Sequence, residues 1–181
     1  MIICLHRGSG FIGSLIKWQT RGKYSHASIL ITPKEIVESR EFKGVRMVDI
    51  YEKDKIDFFH VQANPSQQEK ILKFLESIST KKYDYRQVFR FITRMREAKG
   101  TQDKYFCSEL VFDSLQQAGI DLFINTEGWE VSPHLISRSP ILKQVQYEEI
   151  LQDTHLCIDR FFDTRLQNLR SYFGKIAKPR I

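Results

Sequence analysis

What most constrains this chain is a change of hydrophobic period near residue 62. Before it lie short β-prone runs, Ile2–Leu5, His26–Ile31, Glu35–Glu38, Val45–Ile50 and Phe58–Val61, punctuated by Gly, Pro, Lys and Asp. After it, apolar residues recur at helical spacing. Asn64 as cap, Pro65 at the first helical position and Gln67 three residues after the cap announce a helix that buries Ile71, Leu72, Leu75 and Ile78. A second helix is predicted around Val88, Phe89, Ile92 and Met95, with Tyr85 one turn earlier. A third starts near Cys107, buries Leu110, Val111, Leu115 and Ala118, and stops at Gly119. Phe11, Ile12, Leu15 and Ile16 suggest a short helix over Phe11–Trp18. Strands first and helices after predict an α+β fold, an antiparallel sheet packed against helices.

Composition narrows the class. A chain of 181 residues that is 41% hydrophobic can bury one core, and 12% aromatic residues exclude a disordered or collagen-like chain. The net charge of +6 permits an acidic partner such as an anionic lipid or cell-wall polymer; nucleic acid is the less favoured of these. Three cysteines, Cys4, Cys107 and Cys157, are too few and odd in number for a disulfide framework, which suggests a reducing compartment. The first residues lack the pattern of a secretion signal, and no segment approaches the ~18 apolar residues of a membrane span, so a cytoplasmic protein is expected. No cysteine–histidine spacing fits zinc, and neither a metal nor a cofactor is expected.

Toward the C-terminus, Ile158, Phe161, Phe162, Leu166, Leu169, Tyr172 and Phe173 fall at helical spacing among Arg160, Arg165, Arg170 and Lys175. This divides the chain into a main body, 1–147, and an amphipathic helical extension, 148–181. The apolar stripe suits packing on the body or on a second copy, and the arginines also permit an anionic membrane surface.

Three residues could carry chemistry. Cys107 lies where an irregular approach turns into a helix. There, unpaired amides and the positive helix end favour thiolate and can receive an oxyanion. Taken alone, a lone cysteine is more often an inert buried residue. His26 opens a β-prone run whose alternate residues Ala27, Ile29 and Ile31 can face a core, a position from which a base can be fixed and still reach a cleft. His6, His60, His134 and His155 compete with it. Glu38 lies on the following run, where a hairpin would set it on the same face as His26 to orient the ring. An exposed strand glutamate is the plainer alternative.

The order His26, then Val37-Glu38-Ser39 followed by Gly44-Val45-Arg46, then Tyr105-Phe106-Cys107-Ser108-Glu109-Leu110-Val111 resembles the circularly permuted branch of the papain-like NlpC/P60 family, the YiiX/YaeF-type branch with related poxvirus members. Ala118-Gly119-Ile120, Trp129-Glu130-Val131-Ser132-Pro133 with Ser139-Pro140, and Tyr83-Asp84-Tyr85 extend the likeness over residues 1–147. The resemblance implies a permuted papain-like fold with Cys107 as nucleophile, His26 as base and Glu38 as orienter. It also implies hydrolysis or transfer at an amide or ester through a thioester.

The leading expectation is therefore a thiol amidase or peptidase acting on a peptide or peptidoglycan fragment. Lipid-directed acyl transfer or ester hydrolysis at the same site, and a non-enzymatic binding module, are the alternatives. Tyr24 and Ser25, beside the base, and Trp129, in the downstream motif, are the candidate substrate-binding residues. Arg86, Arg90 and Arg94 form a basic helix stripe that most simply reads as a solvated face. Trp18 and Trp129 read first as packing residues, with a substrate groove as the alternative place for either, and Cys4 and Cys157 read as structural thiols.

Overall fold

A computed structural model describes residues 1–8, 17–18, 21–40, 43–79, 82–83, 104–153, 157 and 163–176. The strands are β1 (Ile2–His6), β2 (His26–Thr32), β3 (Glu35–Arg40), β4 (Gly44–Asp49), β5 (Ile56–His60), β6 (Lys82–Tyr83), β7 (Lys104–Tyr105) and β8 (Lys143–Val145). The helices are α1 (Pro65–Ser77), α2 (Cys107–Gln117), α3 (Pro133–Ile136), α4 (Tyr147–Gln152) and α5 (Asp163–Ile176). Six strands form one antiparallel sheet in the order β4-β3-β2-β1-β5-β8, and β6 and β7 pair in parallel beside it. The α+β class expected from the change of period is present. The expected helix around Val88–Met95, the arginine stripe and most of the expected helix ending at Trp18 lie outside the described residues.

Alternation along the strands separates two apolar layers. Ile3 and Leu5 of β1, Ala27, Ile29 and Ile31 of β2, Val37 of β3 and Phe59 of β5 join Ile71, Leu72 and Leu75 of α1 and Leu110, Val111 and Leu115 of α2 in the main core. The opposite residues, Ile2, Cys4, Leu30, Ile36 and Phe58, pack with Val145, Ile150 and Cys157. The two helix signals read from sequence are realised atom by atom. Asn64 accepts from the Gln67 amide at 2.9 Å and the Asn64 amide donates to Gln67 Oε1 at 3.0 Å. At the end of α2, the Ile120 amide donates to Leu115 and the Gly119 amide to Gln116, with Gly119 at φ 72°, where only glycine is unstrained.

The C-terminal helix docks on the body. Leu166, Leu169 and Phe173 enter the main core. Arg165 reaches Glu69 and Glu76 on α1, and Arg170 grips Glu35 on β3 at 2.8 and 2.5 Å. Trp18, expected to pack, is instead 70% exposed. Among the described residues, no helix is long and apolar enough to cross a membrane.

Candidate active site

Strand register builds the base. β2 and β3 pair Ser28 with Glu38, so His26, two residues before Ser28, shares the Glu38 face. His26 Nε2 and Glu38 Oε2 are 2.8 Å apart. This leaves Nδ1 as the ring nitrogen for a second partner, and Cys107 lies close enough for its charge to favour the protonated ring.

The nucleophile candidate is set by the start of α2. Phe106, the residue at the cap position, is apolar and has no side-chain oxygen to offer the opening amides. Glu109 reaches back to the Phe106 amide at 3.1 Å, while Ser108 donates to the Val131 carbonyl at 2.5 Å. The second bond ties the helix start to the Trp129–Pro133 segment. Gly128 lies against the same helix: a Cβ there would stand 2.3 Å from Asp113 Oδ1. Cys107 is buried at the first position of α2.

Glu38 is fully buried and held from every side. Arg46, directly across β3–β4, donates to Oε1 from Nε at 2.9 Å and from Nη2 at 2.5 Å. The Tyr51 hydroxyl donates to Oε2 at 2.7 Å. Burial opposes the carboxylate, but the hydrogen bond from His26 and its charge, then Tyr51 and Arg46, hold its pKa far below the ordinary range. Burial also works against an imidazolium at His26. The charge of Cys107, its hydrogen bond, and the bond and charge of Glu38 outweigh that penalty and raise His26 to about 9.

His6 completes the cluster. It pairs with His26 across β1–β2, its ring lies edge-on at 5.0 Å, and its Nε2 meets Ser28 Oγ at 2.8 Å. Burial and then the charge of His26 lower it to about 3, so it stays neutral beside its partner. Sequence reasoning weighed His6 only as a rival base and gave Arg46 and Tyr51 no role at the site. The Arg40↔Gly44 turn fixes Glu38↔Arg46 by counting outward along the hairpin, so the register of that hairpin was the available signal for Arg46.

The expected substrate-binding residues hold the strand start. Tyr24 is buried, with its hydroxyl donated to Asp57 at 2.6 Å. The Ser25 hydroxyl contacts the carbonyls of Gly8 at 2.8 Å and His6 at 3.2 Å. Gly22 permits close approach of α3, since a Cβ there would stand 2.3 Å from His134 Cγ. Trp129 is half-buried in the turn packed on α2. The other histidines sit elsewhere, His60 on β5 and His134 on α3, while His155 is outside the described residues. Among the described residues, no group of three or more His, Cys, Asp or Glu side chains is placed to hold a metal.

Compared with models of known protein families and with curated protein sequences, the chain matches none.

Proposed function

We propose that this protein is a thiol hydrolase that cleaves an amide bond in a peptide or peptidoglycan-like substrate, on a circularly permuted NlpC/P60-type papain-like fold. The observation that carries this reading is the placement of Cys107, at the first position of a helix, close enough to His26 to favour its protonated ring, while the other ring nitrogen of His26 is held by Glu38. The chain order of strands, base, orienter and then nucleophile helix supports the permuted arrangement.

In this mechanism the Cys107 thiolate attacks the carbonyl carbon, forming a C–S bond. The oxyanion is received by the opening amides of α2, the Cys107 amide first among them. Collapse breaks the C–N bond as imidazolium His26 gives its proton to the departing amine. Water then attacks the thioester, His26 takes the water proton, and Cys107 leaves as thiolate, releasing the carboxylic acid. Glu38 keeps the ring oriented and supports its charge throughout.

The experiment is turnover of a panel of fluorogenic peptide amides and peptidoglycan fragments by wild type, Cys107→Ala and His26→Ala, with circular dichroism to verify folding. Turnover present in the wild type and abolished in both folded variants supports the reading. Wild-type rates in either variant would overturn it.

A further inference from the structure

Glu38 is surrounded by more positive charge than one carboxylate uses. Arg46 takes Oε1 through two N–H groups, while His26 and Tyr51 fill Oε2. Arg40 is the additional cation. Its Nη1 stands 3.8 Å from Oε2, beyond hydrogen-bond distance, and donates to the Tyr51 hydroxyl instead. Its guanidinium lies 5.3 Å from the Tyr51 ring centroid, and its side chain is 45% exposed. Across the hairpin it faces Gly44, which has no side chain to cover it. Among the described residues, no acceptor meets the Nε or Nη2 of Arg40.

The charge balance gives this surplus a consequence. In the proposed mechanism the thiolate and imidazolium carry no net charge together, and among the described residues Glu38 cancels one of the two arginines beside it, which leaves one positive charge beside the base. Acylation of Cys107 and loss of the His26 proton remove opposite charges together, so the excess persists through the cycle. A partly exposed guanidinium with a free N–H fork is suited to an anionic oxygen group.

We propose that Arg40 is a specificity residue that binds a carboxylate or phosphate carried by the acyl substrate, on the Nε2 side of His26. This rests on the thiol-hydrolase reading and adds a substrate class to it: acyl compounds bearing an anion beyond the reacting carbonyl.

The test is labelling of Cys107 in the full chain by bromoacetyl probes, read by peptide mass spectrometry. One series ends in carboxylate, one in phosphonate and one in a neutral methyl amide, each at increasing spacer length. An anionic series outruns the neutral one at a preferred length, and Arg40→Gln reduces that advantage by about tenfold while neutral labelling stays within about twofold. Arg40→Lys retains part of the advantage. Preference for phosphonate assigns a phosphate-bearing substrate, and preference for carboxylate assigns an acidic one. An advantage unchanged in Arg40→Gln, or neutral labelling that falls equally, would overturn the proposal. Neutral labelling that is the same in wild type and His26→Ala would overturn the thiol-hydrolase reading, and this proposal with it.

Discussion

His26 and Arg46 grip opposite oxygens of Glu38, His26 on Oε2 at 2.8 Å and Arg46 on Oε1 at 2.5 and 2.9 Å. The carboxylate therefore both orients the base and closes the β3–β4 hairpin. Glu38→Gln leaves buried cations without their anion, at a cost of about 3 kcal/mol. Its effect on turnover is smaller than that of losing Cys107 or His26, because an orienter is not itself the reacting group. Urea unfolding beside steady-state kinetics checks both expectations.

The pH dependence of stability follows from the same group. The Glu38 pKa is depressed in the fold, so its contribution is present above the ordinary carboxylate value of about 4.3 and is lost as pH falls toward the folded value. Glu38→Gln should flatten the acid limb of the wild-type stability curve. Parallel wild-type and variant curves between neutral pH and the acid transition would contradict this.

His26 sets the alkaline side. With its pKa raised to about 9, the imidazolium that protonates the leaving amine is lost as pH passes that value. Turnover should fall there, whereas alkylation of Cys107, which needs no proton donor, should not. Comparing the two pH profiles separates loss of the acid from loss of the fold.

His6 packs edge-on against the His26 ring and remains uncharged. His6→Asn should lower kcat more than it raises KM and shift the alkaline limb of the turnover profile. An unchanged profile would reduce His6 to packing.

Two substitutions test the framework. Gly22→Ala drives a methyl into the base of the His134 side chain, and overpacking of this kind costs about 1–3 kcal/mol. Leu169→Ala opens the main core beneath α5, at about 2–5 kcal/mol. Thermal melts distinguish these from a wild-type-like outcome, which for Leu169 would mean that the C-terminal helix does not hold the core.

The parts legible in sequence were those with local signals. The Asn64–Gln67 box, the Gly119 stop and the strands of the first half each depend on residues a few positions apart. His26 and Glu38 were readable as one face because a hairpin joins them. The cage around Glu38 was not, since Tyr51 arrives from beyond β4 and His6 from a strand 20 residues upstream, and only the assembled sheet sets them side by side. β8 is three residues with exposed Lys143 and Gln144, too short and polar to show a period of two. The partners of Arg165 and Arg170 were not legible either, because both reach glutamates more than 90 positions away.

The proposed hydrolysis turns on activation of Cys107 by His26. The most direct measurement is the rate of iodoacetamide labelling of Cys107 at neutral pH, by peptide mass spectrometry, in wild type and folded His26→Ala. Labelling should slow by about tenfold or more without the histidine, because thiolate beside an imidazolium is the reactive form. Equal rates in the two proteins would contradict it.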